Sequence, residues 1–393
     1  PEAATPPPTF VLRRPTEMPA VLARGPYLGA PTASSLRLLW RLDRPAAVVL
    51  RWGPADGLLT GAITTTAEAS QVVTVTGLQA GTEYGYELME VGRVGLLAAG
   101  TFRAKPGPDG PGFRFVVIGD TGTGSPEQAA VAGLIDRQQP DLILHTGDVV
   151  YQNGEAEGYD PTFFQPYRAT LARVPFYPTM GNHDYRTANG APYLDAFVLP
   201  ANNPAHTERY YSFDFGGAHF TVLDSNQSAD PASPMGAWLA HDLAATEAVW
   251  RFATFHHPVF SSGPHSDDRY VARLRRQLAP VLAANGVAMA FSGHEHLYER
   301  SKPQGGGAGG GPGVIYVVSG GGGARLYRRR AVEPWTAAFA SRHHAVVVDV
   351  EGCRLVLKAV DPSDEVFDEM SLDRCRVAYV PQLPDGSHLR AHP

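Results

Sequence analysis

Hydrophobic and polar positions along the chain change rhythm twice. Between residues 20 and 104, short runs alternate apolar and polar side chains: Ser35 to Leu42, Ala46 to Trp52, Gln71 to Val75 and Tyr84 to Val91, with Gly and Pro between them. A period of two marks strands that bury one face, so this block predicts a small all-β sandwich. Lys105 to Gly112, with Pro106, Pro108 and Pro111 among glycines, reads as a linker, and residues 1–19 as an N-terminal extension. From Phe113 the strands become short and apolar and end in polar residues: Phe113 to Ile118, Leu142 to His145, Val174 to Tyr177, Phe220 to Leu223, Phe252 to Phe255 and Val287 to Phe291. Helical stretches separate them. Ser125-Pro126-Glu127 supplies the cap and first turn of a helix to Gln138, and Gly236 to Glu247 and Asp267 to Ala284 are two more. This alternation predicts an α/β domain over residues 113–376, with chemistry gathered at strand ends, and residues 377–393 as a tail.

The second change comes near the end. Residues 354–359 and 366–372 alternate again about a turn cluster, Asp361 to Glu365. Folded as a hairpin, they bring Cys353 opposite Cys375, at a separation a disulfide can bridge, with two unrelated buried thiols as the alternative. A bridge of this kind implies an oxidising compartment. The opening run Pro1 to Pro8 resembles the segment left when a secretory signal is removed, so a secreted or periplasmic location is expected.

Composition narrows the functional classes. The chain is 44 % hydrophobic with a formal net charge of -6, and no stretch of it is long and apolar enough to span a bilayer. Mild acidity leaves no electrostatic footprint for nucleic acid or an anionic membrane, so any attraction for phosphate must be local. The tract Gly305 to Gly313 lacks the Gly-Lys-Ser/Thr ending of a phosphate loop and reads as a surface loop. Gly320 to Gly323, following Val314 to Ser319, fits either a tight turn or backbone drawn close to a ligand.

Five short clusters come directly after predicted strands: Gly119-Asp120-Thr121-Gly122, Gly147-Asp148-Val149-Val150-Tyr151, Gly181-Asn182-His183-Asp184, His256-His257-Pro258 and Gly293-His294-Glu295-His296. Singly, each fits a turn or a structural histidine. Together they offer carboxylate, imidazole, phenol and amide donors, a set suited to Fe, Mn or Zn.

In order and spacing the clusters resemble the purple acid phosphatases of the calcineurin-like metallophosphoesterase superfamily. That pattern runs Asp-x-Gly, Gly-Asp-x-x-Tyr, Gly-Asn-His, a single His and Gly-His-x-His. Tyr151 is its specific element, since most of the superfamily lacks a tyrosine ligand. The front block fits the resemblance: Gly77 to Tyr84 is similar to the tyrosine corner of fibronectin type III domains, with Trp40 as core aromatic. The implied fold is two packed β-sheets flanked by helices, an αββα sandwich, behind a small fibronectin III-like domain.

The resemblance assigns Asp120, Tyr151 and His296 to a ferric ion, and Asn182, His256 and His294 to a divalent Fe, Zn or Mn, with Asp148 bridging. Charge balance with a phenolate and a hydroxide leaves about one positive charge to attract a phosphate. The implied reaction is hydrolysis of phosphate monoesters by a hydroxide generated at the metals. His183 is the implied proton donor, oriented by Asp184, and His265 a substrate contact or second donor, with a solvated loop histidine as its plain alternative. His257 stays open between substrate neighbour and filler. Two other functions remain in play: a phosphodiesterase of the same superfamily, against which Asp120-Thr121-Gly122 in place of Asp-x-His counts, and a secreted binding or adhesion protein with a vestigial metal site. The implied partner is a small phosphate ester, with no nucleic acid or membrane.

Overall fold

The computed structural model describes residues 18–306 and 312–375. The Pro1 to Pro8 run, the tail and part of the glycine tract lie outside the described residues.

The first block is a two-sheet β-sandwich. One sheet orders Leu22–Leu28, Ser35–Ala46 and Glu68–Thr76; the other orders Gly61–Thr64, Val48–Pro54, Glu83–Glu90 and Ala98–Arg103. Every pairing is antiparallel. Along Glu83–Glu90 every second residue is buried, the alternation read from the sequence. Trp40 is buried in the core between the sheets, and the hydroxyl of Tyr84 accepts a hydrogen bond from Gln79 N at 2.9 Å, closing the tyrosine corner.

The sandwich shares a core with the α/β domain. Tyr27 and Leu39 pack into the large apolar cluster of that second domain, and Tyr27 Oη donates to Ala196 O at 2.8 Å. Arg24 reinforces the seam, pairing with Asp160 while its guanidinium lies 4.3 Å from the centre of the Phe164 ring.

The second domain is built on two sheets. The six-stranded sheet runs Phe176–Pro178, Leu142–His145, Phe113–Ile118, Ala345–Glu351, Arg354–Val360, Val366–Asp373; the seven-stranded sheet runs Tyr211–Phe215, Ala218–Val222, Trp250–Thr254, Met289–Ser292, Ile315–Ser319, Tyr298–Ser301, Thr336–Ala340. Alternation of side chains across the second sheet sets the layers. Phe252, Met289, Phe291, Ile315 and Val317 point into the core between the sheets, whereas Ala253, Ala290 and Tyr316 pack with helices Pro234–Ala245 and Arg269–Ala284 on the other face. Helix Pro126–Gln138, capped by Ser125 Oγ on Gln128 N, supplies Val131, Leu134 and Ile135 to the first sheet. The result is the αββα layering expected.

Three strands of the first sheet and four of the second run parallel, and their C-terminal ends meet at one edge of the sandwich. All five clusters leave the sheets there. Beyond the sheets' other edge, the hairpin pairs Arg354 with Asp373, and Cys353 bonds to Cys375 with a Cα separation of 4.9 Å. The register places Cys353 beside Arg374, whose N donates to Cys353 O, so the bridge closes one residue off direct opposition.

Candidate metal centre

Short motifs place these side chains because the turns that carry them are unusually constrained. Asp120, Asp148 and His294 adopt positive φ of 58°, 54° and 68°, a left-handed backbone that costs roughly 1–3 kcal/mol for a non-glycine residue. The adjoining glycines make room. A Cβ on Gly181 would sit 2.0 Å from Asp148 Oδ1, and one on Gly293 would sit 2.4 Å from Asp120 Oδ2. Gly320 likewise packs against Asp120, which favours the close-approach reading of that glycine run.

Two groups of donors result, joined by Asp148. In the first, Tyr151 Oη lies 3.1 Å from Asp120 Oδ1, 3.0 Å from Asp148 Oδ2 and 3.1 Å from His296 Nε2. One phenolic proton cannot serve two carboxylates at once. In the second, Asn182 Oδ1 lies 3.0 Å from both His256 Nε2 and His294 Nδ1, and His256 Nε2 is 3.5 Å from Asp148 Oδ2.

The outward nitrogens determine what the inward ones can do. His256 Nδ1 donates to Thr146 O at 2.8 Å and His296 Nδ1 to Arg325 O at 2.8 Å. A carbonyl only accepts, so these nitrogens carry a hydrogen, and each ring in its neutral form turns a lone pair inward. His294 differs, since its outward Nε2 meets the hydroxyl of Tyr270 at 3.0 Å. Lone pairs of imidazole, amide and carboxylate thus converge with little between them to balance them. Asp120, Asp148 and His256 alone bring their donor atoms within 4.8 Å of one another, and all three are buried. The residues present fit two cations.

Electrostatics identify the protons that a cation would displace. Burial pushes the Asp148 carboxyl up, but His256 and His183 outweigh it and hold the group well below the usual carboxylate range. Burial pulls His256 down, yet the charge and hydrogen bond of Asp148 carry it up to about 9, so Nε2 holds a proton that a cation would have to displace. Burial and the two aspartates drive the Tyr151 phenol well above its ordinary value, so its proton leaves only for a strong positive charge.

Around this core, His183 Nδ1 donates to Gln152 O at 2.6 Å and Nε2 faces Asp148 Oδ2 at 3.9 Å. The expectation that Asp184 orients His183 is corrected. Its carboxylate turns the other way and accepts from Val149 N, Val150 N and Gly181 N, and burial followed by the charge of Asp148 raises it to about 7. Asp184 therefore builds the turn that carries Asp148. His265 Nδ1 lies 3.3 Å from Glu295 Oε2, and its ring rests 4.7 Å from that of His294, which places it beside the centre rather than in open solvent. His257 is buried against Ser225 Oγ at 2.8 Å from Nδ1, and His256 alone of the pair reaches Asn182.

Sequence reasoning did not reach Tyr270, Arg325 or Tyr327, whose ring stacks on His296 at 4.2 Å. Only the neighbourhood of Gly320 to Gly323 hinted at the last two.

Comparison with known proteins fits this geometry. Residues 113–298 match the family profile described as calcineurin-like phosphoesterase, and this part of the chain is a domain of that class. Within the class, its sequence relatives are purple acid phosphatases. Purple acid phosphatase 15 of Arabidopsis thaliana is 29 % identical over 280 residues, covering 63 % of this chain and 52 % of the relative. Purple acid phosphatase 23 of the same plant is 26 % identical over 291 residues, covering 65 % and 62 %. The chain thus spans between about half and three-fifths of these relatives' length. Among solved structures, purple acid phosphatase PPD1 from yellow lupin seeds superposes with a TM-score of 0.77 at 19 % identity, covering 89 % of this chain and 74 % of that one, which shows a shared fold.

Proposed function

We propose that the chain is a binuclear-metal phosphoesterase that hydrolyses phosphate monoesters. The observation that carries this reading is the convergence of two donor groups on the shared carboxylate of Asp148. Asp120, Tyr151 and His296 would hold one cation, with a ferric ion suited to the phenol, and Asn182, His256 and His294 a divalent Fe, Zn or Mn. When bound, the cations would supply positive charge for the phosphate oxygens and acidify water at neutral or lower pH.

The chain's own residues supply the rest. Gln152 O fixes the His183 ring so that Nε2 faces the centre, from where it can deliver a proton to the departing oxygen. Glu295, hydrogen-bonded to His265, shifts that imidazole upward and favours its protonated form beside the phosphate. The strand order and tyrosine corner of the front block support a fibronectin III-like module there. The Cys353–Cys375 bridge supports a secreted or periplasmic setting.

The test is hydrolysis of p-nitrophenyl phosphate against its bis-ester by metal-loaded protein. Preferential turnover of the monoester is expected. Preferential turnover of the bis-ester would favour a phosphodiesterase, and turnover of neither would overturn the hydrolase reading.

A further inference from the structure

The turn that presents Asn182 and His183 continues into Arg186, an exposed residue at the lip of the centre. Its Nη1 donates to Gln152 O at 3.1 Å, the same carbonyl that accepts from His183 Nδ1. Thr187 Oγ1 donates to Asn153 O at 2.7 Å and ties the two loops side by side, so the guanidinium is anchored beside His183. Among the described residues no carboxylate pairs with it. This sets Arg186 apart from Arg114, Arg137, Arg300, Arg330 and Arg342, each of which faces an aspartate. One guanidinium edge is held by a neutral carbonyl, and the remaining N–H donors are left to solvent.

Beside His296, Arg325 is a second exposed arginine. Its carbonyl accepts from His296 Nδ1, its neighbour Tyr327 stacks on His296, and its side chain is exposed with no carboxylate partner among the described residues. A chain with a net charge of -6 therefore carries, on the segments holding His183 and His296, two exposed arginines that face no carboxylate among the described residues.

An isolated phosphate needs only the centre itself. We propose that Arg186, assisted by Arg325 on the segment beside His296, forms a second anion subsite that selects phosphate esters whose leaving group carries another phosphate. This inference rests on the phosphoesterase reading. His183 is the group poised on the leaving oxygen, so an anion on the leaving group falls within reach of the arginine beside it. A guanidinium recognises phosphate through paired N–H donors, which a lysine matches only as a point charge.

The experiment compares kcat/KM for fructose 1,6-bisphosphate and fructose 6-phosphate in metal-loaded wild type, Arg186→Gln, Arg186→Lys and Arg325→Gln. Wild type should favour the bisphosphate, and added salt should shrink that preference. Arg186→Gln should lower the ratio about tenfold, the scale of a lost hydrogen bond to a charged group. Arg186→Lys should restore part of it, and Arg325→Gln should lower it less. A wild type without preference, or a ratio unmoved in Arg186→Gln, overturns the subsite. A proportional fall on both substrates also overturns it, because Arg186 would then act only on His183 through Gln152. If metal-loaded wild type turns over neither sugar phosphate nor p-nitrophenyl phosphate, the phosphoesterase reading fails and the subsite falls with it.

Discussion

His219, on strand Ala218–Val222, donates from Nδ1 to Asp214 Oδ1 at 2.8 Å and from Nε2 to Asp242 Oδ2 at 3.0 Å, while Ser212 and Thr221 hydroxyls donate to the same Asp242 carboxylate. At the strand-end centre, by contrast, Asn182 Oδ1 faces two imidazole nitrogens and one phenol stands between two carboxylates. Both groupings use histidine, aspartate and hydroxyl side chains. One is closed, because every acceptor has its own donor and the imidazolium supplies the positive charge. The other is open, because two carboxylates, an amide oxygen and three imidazoles crowd one space where the Tyr151 phenol is shared between two carboxylates and Asn182 Oδ1 between two rings. The contrast teaches that a cation site is marked less by residue type than by donors left electrostatically unbalanced, held there by strained turns and close glycines.

The sharpest way to break the comparison is to remove the carboxylate shared by the open group. Asp148→Ala should abolish binding of both cations and lower phosphatase activity by roughly a thousandfold, the order expected when several kcal/mol of transition-state charge stabilisation vanish. Elemental analysis beside kinetics checks it, and a variant that keeps both metals would contradict the bridging role. Tyr270→Phe should be milder. It removes the hydroxyl on His294 Nε2 and should weaken the site of Asn182, His256 and His294 by about ten- to a hundredfold in a metal-competition titration, leaving the site of Asp120, Tyr151 and His296 intact.

The smallest effect lies in the closed group. Burial pulls His219 down, but Asp214 and Asp242 raise it to about 9, above its ordinary 6.5. Stability from this pair is therefore complete below pH 6.5 and lost as pH rises through 9. His219→Gln should flatten the fall in Tm over that window by about 3 °C. A wild-type slope unchanged in the variant would show that the cluster does not titrate as described.

Much of the centre is legible in the sequence because its residues sit in contiguous motifs whose glycines and strand ends leave a local trace. Asp120, Asp148 and His294 sit on left-handed turns beside close glycines, and Asn182 and His256 closely follow a glycine or a strand end. Contacts made across the fold leave no such trace. Tyr270 comes from the start of a helix and Tyr327 from an irregular segment, and each reaches the centre only through tertiary packing. Asp184 departs from expectation for a related reason. Adjacency to His183 suggests contact, whereas consecutive residues in the turn face opposite ways and the carboxylate serves backbone N–H groups instead. In the fold, strands leading into helices stand out. Ala345–Glu351, inserted antiparallel beside Phe113–Ile118, and the edge strands Tyr211–Phe215 and Thr336–Ala340 break that alternation and escape it. The hairpin is visible, but its register is not, since it depends on where the turn centres and on a bulge near Val360 that shifts the pairing by one residue.

The central claim is that two cations share Asp148, one of them bound by the phenol of Tyr151. Its most direct test is metal content combined with a visible spectrum of wild type and Tyr151→Phe after loading with iron and zinc. Two metals per chain are expected, with a phenolate-to-ferric charge-transfer band that disappears in the variant. A single metal per chain, or a band that survives in Tyr151→Phe, would contradict it.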